Sequence, residues 1–443
     1  KNHDDFPYYH FPYIQLLTDY SHPLGLGQLN NGFRSPSSIF FISSLFFLPK
    51  IGIYLFHITP AFIMGFANII FLKNILDKGL FQKEKMISFL SLLFFIFINV
   101  FFYRLSEHGT DRSGMILVLL SILFLIALIN NQKNSFQETK INEELMKMII
   151  ILICFAATIK PYYLINFSIF LLFVFFEHTR KIFLSLFFSR TFYVCLSLII
   201  FTIFFTFINS GCLIFPITVT CFENLAWSLD KGLISQTNVW FELWSKGGAG
   251  PNYTVEERLE YISGLNWLSN WFEKYFFNKV FDFLIGILIL SFIVFLAFFN
   301  NYNSNKLIQK NTVYVFALIL LLLLEWFFKH PTLRYGGYHL IALIIFIPLS
   351  MKLSNTDMNY DLFFKRSLVL IFVTIIIFCS RNLSRLNNEY SLYNFSPIKN
   401  TNYKFIGGDK DFYYRYDTFL EENLNNFKTL EIIGKKFLII QNN

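Results

Sequence analysis

Ten apolar runs limit what this sequence can become. They fall at about 51–72, 86–103, 113–130, 148–160, 162–177, 191–208, 280–299, 313–328, 338–350 and 367–379. A membrane-spanning helix needs about 20 predominantly apolar residues, and most of these runs approach that length almost without charge. A soluble domain carries about 25% charged residues; this chain carries 15%, with 55% hydrophobic residues and a mean hydropathy of +0.50. The chain reads as an all-α polytopic membrane protein. A further run, 39–48, is too short to span. The pair 148–160 and 162–177 is split by Lys160-Pro161 and admits two readings, two short tilted helices or one broken helix.

Lys and Arg fix an orientation. Lys73, Lys78, Lys83, Lys85, Lys133, Lys140, Lys147, Arg180, Lys181, Arg190, Lys306, Lys310, Lys352, Lys365 and Arg366 fall in alternate short loops; the opposite loops hold only Arg104, Arg112, Lys160, Lys329 and Arg334. Cytoplasmic loops carry the excess of Lys and Arg, which leaves the first loop, loop 209–279 and the tail 380–443 outside. The net charge of +8 is then an orientation signal, and no nucleic-acid partner is expected. The 60 Phe residues, beside abundant Ile, Leu, Asn and Lys, are read as coding bias and not as function.

The expected organisation is an outer loop with an interfacial helix over 1–50, transmembrane helices over 51–208, an outer loop over 209–279, transmembrane helices over 280–379 and a small outer tail, α+β or irregular, over 380–443. The chain begins at Lys1, so a preceding transmembrane helix, or a signal peptide that is removed, is expected. Within the first loop, Pro12 opens a short helix whose Tyr13, Leu16, Leu17 and Tyr20 share one face, as in a helix lying in the interface. Loop 209–279 carries Cys212 and Cys221, which would face an oxidising compartment where a disulfide can form. Its Trp227, Trp240, Trp244, Trp267 and Trp271 suggest helices resting on the membrane surface. Cys154, Cys195 and Cys379 read as small apolar residues of spans.

Ionisable residues at membrane depth or its edge are costly and point to function. On this topology they gather on the outer face: Asp4, Asp5, His10 and Arg34; then Glu107, His108, Asp111 and Arg112; then Lys160; then Lys329, His330, Arg334, Tyr335 and His339. Paired aspartates in a loop are commonly just solvated. Asp4 and Asp5, however, sit among five aromatic rings, whose desolvation raises a carboxyl pKa toward that of a useful base. His10 is read either as an interfacial ring or as a ligand of metal or substrate. Arg34, in a Gly/Ser-rich turn, either binds phosphate through two N–H groups or anchors the next segment. Lys160 either snorkels to the interface or faces a lipid phosphate. The Lys329–His339 stretch combines cations with Tyr335, Tyr338 and a Gly336-Gly337 bend, which suits a phosphorylated headgroup.

The early acidic pair, the many spans and the Arg-, Lys- and His-bearing outer loops resemble the C-type (GT-C) membrane glycosyltransferases. The segments Asp5-Phe6-Pro7-Tyr8-Tyr9-His10, Leu26-Gly27-Gln28-Leu29-Asn30 and Arg34-Ser35-Pro36-Ser37-Ser38 are similar to those of a bacterial branch of multipass proteins, with Gln28 where Asn is expected. The resemblance covers the first 50 residues well, the Cys212–Trp227 region loosely and the tail not at all.

This resemblance implies a GT-C-like fold in the bacterial inner (cytoplasmic) membrane, with the active face outside. It implies transfer of a sugar, with inversion, from a polyprenyl-phosphate donor to a glycan, lipid or protein acceptor. Asp5, or its neighbour Asp4, would be the general base or would hold a divalent metal, Mg or Mn. Arg34, Lys160 and Arg334, with Lys329, Tyr335 and His339, would bind the donor phosphate; His10, His108, Asp111 and Arg112 would support the site. Two rivals remain. A surface-polysaccharide polymerase also joins lipid-linked sugars, and a lipid-glycan flippase or transporter would need polar groups near the bilayer midplane, where Glu325 is the main charge.

Overall fold

A computed structural model of the chain describes residues 5–49, 51, 55–104, 109–131, 136–250, 255–299, 311–393, 421–422, 427–432 and 435–440. After a π-helical turn Phe6–His10 come α1 (Phe11–Asp19), α2 (Ser38–Ser44), α3 (Ile58–Leu76), α4 (Lys78–Lys83), α5 (Lys85–Phe101), α6 (Gly109–Asn130) and α7 (Phe136–Ile159). Then follow α8 (Ile169–Phe175), α9 (Glu177–Leu186), α10 (Arg190–Ser210), α11 (Lys231–Lys246), α12 (Arg258–Ile262), α13 (Leu268–Trp271), α14 (Phe281–Phe298), α15 (Thr312–Lys329), α16 (Gly337–Ser354) and α17 (Tyr360–Tyr393). The strands β1 (Phe427–Ile432) and β2 (Lys435–Ile440) form an antiparallel hairpin.

Among the described residues, seven helical rods are long and apolar enough to cross a membrane: α3, α6, α10, Leu268–Phe298, α15, α16 and Tyr360–Asn388 of α17. Two shorter apolar helices, Lys85–Phe101 and Pro161–Phe175, lie among them. The chain is therefore an all-α polytopic protein with the marks of an integral membrane protein. α6 is buried along nearly its whole length, because it is apolar on every face and sits at the centre of the bundle. α10, α14, α15 and α17 instead expose Val194, Leu288, Leu321 and Phe372, apolar surface that lipid can cover.

The break at Lys160-Pro161 gives two pieces. α7 ends at Ile159, Pro161–Ser168 turns as a 3₁₀ helix, and α8 follows. Proline has no N–H to continue the ladder of α7, but it suits the first turn of a new helix. The run expected from residue 51 becomes α-helical only at Ile58.

Three expectations change. α1 does have Pro12 in its first turn, but part of the face expected at the interface packs into protein, while Tyr20 stays exposed. Tyr13 and Leu16 are 0% and 1% exposed, packed with Phe11, Ile14, Leu26, Phe33, Phe40, Phe56 and Ile440 in a core of their own. Of the five Trp residues of the outer loop, Trp240 is exposed, whereas Trp267 and Trp271 are buried in the main core. They lie at the start of the continuous rod Leu268–Phe298, so residue 279 falls inside a helix. Likewise α17 runs through residue 380, so the tail begins as a continuation of a span.

The first loop is fastened at two seams. Asn209, at the end of α10, donates from Nδ2 to the Tyr13 hydroxyl (3.0 Å) and to the Phe33 carbonyl (2.8 Å), while its Oδ1 lies 2.7 Å from His22 Nε2. The second seam is the hairpin. Leu24 N–H donates to Leu438 O and Ile440 N–H to Leu24 O, both at 2.9 Å. Gly25, at φ +82°, is required here, since a Cβ would lie 2.8 Å from the Ile440 carbonyl oxygen.

Candidate functional site

Four ionisable side chains from four elements meet at one end of the bundle. Asp111 lies in the first turn of α6, Lys160 follows α7, Arg334 lies in the 3₁₀ turn Leu333–Tyr335 before α16, and Asp5 precedes the π-helical turn. Arg334 donates from Nε to Asp111 Oδ2 at 2.5 Å and from Nη2 to Asp5 Oδ2. Lys160 Nζ pairs with Asp111 Oδ1. The array alternates in sign and balances, two carboxylates against two cations. Asp111 is its hub, 5% exposed at the side chain, whereas those of Asp5, Lys160 and Arg334 are 22%, 20% and 30% exposed. Removing an ion from water costs several kcal/mol, so this arrangement persists because each charge has a partner of opposite sign. Burial works against the Arg334 charge, but Asp111, Tyr9 and Asp5 together more than offset it and hold its pKa well above the usual value.

Tyrosines wall the array. Tyr163 donates its hydroxyl to the Asp111 carbonyl. Tyr162 lies against Tyr163 with ring centroids 4.1 Å apart, and Tyr335 is 6.1 Å from Tyr162 and 5.7 Å from Trp244 of α11. Burial pushes the Tyr335 phenol up to about 12, against the pull of Arg334, so it is a donor at neutral pH. Burial first, and then Asp5, also raises the pKa of Tyr9. His10 packs edge-on to Tyr9 at 4.3 Å and lies 5.0 Å from Phe40. Its burial, with Lys160 and Arg334 nearby, lowers its pKa to about 3 against the opposing pull of Asp5 and Asp111.

The sequence candidates therefore divide. Asp5, Asp111, Lys160, Arg334 and Tyr335 come together, with His10 beside them. Asp4, Glu107 and His108 lie outside the described residues. His339 is buried in the first turn of α16. Arg112 turns away: its Nη1 donates to the Phe101 carbonyl at 2.9 Å, and its guanidinium lies over the rings of Phe102 and Tyr338. There it complements the negative end of α5. Lys329 is exposed at the end of α15. Of the two readings of Arg34, the contacts favour the anchor: Nε donates to Gly27 O (3.2 Å) and Nη1 to Thr237 Oγ1 (3.0 Å), tying the first loop to α11. Cys212 and Cys221 are joined by a disulfide.

Sequence reasoning missed Tyr162, Tyr163 and the pair Glu242–Lys246 of α11. Lys246 is 3% exposed and bonds Glu242 Oε1 (2.6 Å) and Ile262 O (2.8 Å). The Lys-Pro-Tyr-Tyr run at a helix break and the i,i+4 spacing of 242 and 246 were the available signals. As for a divalent cation, no three His, Cys, Asp or Glu side chains gather among the described residues. Asp5 and Asp111 are bridged by a guanidinium instead.

Gln28, the departure from the expected Asn, donates to the Ser228 carbonyl at 2.8 Å, which an Asn one methylene shorter would not reach from the same backbone. No curated protein and no solved structure matches the chain. A family described as a domain of unknown function, DUF8201, matches residues 2–341. That stretch is most of the chain and takes in Asp5, Asp111, Lys160 and Arg334: the protein belongs to the DUF8201 family.

Proposed function

We propose that this protein is a membrane glycosyltransferase. It moves a sugar from a polyprenyl-phosphate donor to a glycan, lipid or protein acceptor on the outer face of the bacterial inner membrane. The observation that carries this reading is the joint pairing of Arg334 with Asp5 and Asp111. It joins the early acidic residue to a late cation at the end of the bundle, where a lipid phosphate reaches. In the resting array Asp5 is held by Arg334 and is a poor base. A donor phosphate arriving at Arg334 and Lys160 competes for those cations and releases Asp5. The freed carboxylate takes the proton of the acceptor hydroxyl as its oxygen attacks the anomeric carbon. The bond from that carbon to the phosphate oxygen breaks with inversion, and Arg334 and Lys160 neutralise the charge left on the phosphate. A flippase would favour ionisable groups at mid-depth; this array lies at helix ends.

The test is transfer by the full chain in nanodiscs, from a panel of polyprenyl-phosphate sugars to short glycan and lipid acceptors. Transfer that depends on Asp5 supports the reading. No transfer from any donor, with the protein folded, overturns it.

A further inference from the structure

α16 begins without a side-chain cap, on Gly336 at φ +107°, where any other residue would be strained. The first amides of a helix have no acceptor within it, and a helix of 18 residues carries about half a positive charge at that end. Such an end is suited to anions. A second observation points to a ligand. His339, in the first turn, is 1% exposed, and neither Nδ1 nor Nε2 has a hydrogen-bond partner. Leaving a buried polar group unpaired costs about 1–3 kcal/mol, and an imidazole has two such groups to satisfy.

Helical side chains lean back toward the helix start, and His339 does so. A Cβ placed on Gly336 would lie 3.3 Å from His339 Cε1 and 3.3 Å from the Tyr162 hydroxyl. The imidazole, the phenol and the start of α16 thus converge on one glycine. Arg334, two residues before it, is 30% exposed at its side chain.

We infer that the start of α16 is a phosphoryl-binding site. The amides of the first turn, His339 and the Tyr162 hydroxyl hold the oxygens of a phosphate or diphosphate group, and Arg334 balances its charge. This deepens the transferase reading by adding Tyr162 and the backbone of α16 to the donor's phosphate contacts, and it rests on that reading only for the identity of the ligand. Anion binding itself can be measured without turnover.

The full chain in nanodiscs of uncharged lipid is titrated calorimetrically with inorganic pyrophosphate. Saturable binding is expected, weakened at least 10-fold by His339→Leu and by Tyr162→Phe, with thermal unfolding showing both variants folded. Tyr162→Phe removes one oxygen and keeps the ring, so it remains informative if His339→Leu fails to fold. No saturable binding, or equal affinity in wild type and Tyr162→Phe, overturns the inference. Two further arms identify the source of the phosphoryl group. Competition by polyprenyl phosphate in the disc, and not by phosphatidylglycerol, assigns the site to the donor lipid. Competition by phosphatidylglycerol alone leaves the site standing as a headgroup site and removes its support for the transferase.

Discussion

Arg334 and Asp5, 329 residues apart in sequence, are joined by a charge-assisted hydrogen bond from Nη2 to Oδ2. The same guanidinium holds Asp111 through Nε. One planar side chain late in the chain therefore serves two carboxylates from its first third. Lysine, a point charge on a flexible stem, cannot reproduce that fork.

Arg334→Ala leaves Asp111 buried with Lys160 alone. Breaking a buried pair costs about 3–5 kcal/mol, so a large fall in thermal stability is expected. Arg334→Lys should recover part of it. Unfolding midpoints of the two variants in one detergent check this, and equal midpoints for wild type and Arg334→Ala would show that the array carries no stability.

Asp5 and Asp111 should separate by phenotype. Asp5 is the more exposed carboxylate, and Asp5→Asn should lower transfer by about 10²–10⁴-fold, the range of a general base, with little change in unfolding. Asp111→Asn should lower both. An Asp5→Asn protein of full activity would remove Asp5 from the chemistry.

Acid should destabilise the first loop through His10. In the folded protein its pKa is lowered to about 3, chiefly by burial, while the unfolded chain takes up a proton near 6.5. Between those values the unfolded state binds more protons, so stability falls as pH drops from about 6.5 toward 3. His10→Gln should flatten that slope, measured as unfolding midpoint against pH.

Glu84 has the opposite sign. Burial raises its pKa to about 7, against the pull of Lys83. The folded state then holds the proton that the unfolded chain releases near 4.5, so its contribution weakens as pH rises from about 4.5 to 7. Glu84→Gln should gain stability at pH 8 relative to wild type and lose that advantage at pH 4.

Reduction of the Cys212–Cys221 bond opens a loop of sequence separation 9. Loop-closure entropy puts the expected loss at about 2–3 kcal/mol. A Cys212→Ser, Cys221→Ser protein should show it as a lower unfolding midpoint that no longer responds to reductant.

Much of the bundle was legible because lipid as solvent imposes long apolar runs, and α6, α10, α15 and α16 lie where those runs predict. Asp5, Lys160 and Arg334 stood out for the same reason: charge beside an apolar span is conspicuous. The rank of Asp111 was not legible. Glu107, His108, Asp111 and Arg112 fall within six residues of sequence, and nothing in their order says that Asp111 points inward while Arg112 caps α5. Arg34 kept two readings because an arginine in a glycine-rich turn looks alike whether its partner is a phosphate or the Gly27 carbonyl. Ile440 of β2 joins the core of Tyr13 and Phe33 through a contact with Leu24 that no local pattern announces.

That contact sets an order of events in biogenesis. Leu24 leaves the ribosome long before Leu438 and Ile440, and until they arrive the core around Tyr13 and Phe33 lacks one wall. The segment bearing Asp5 is then made well before the hairpin that closes its core. A chain terminated just before the hairpin would carry every one of its catalytic candidates and still leave the first loop without its second fastening, more open to a protease.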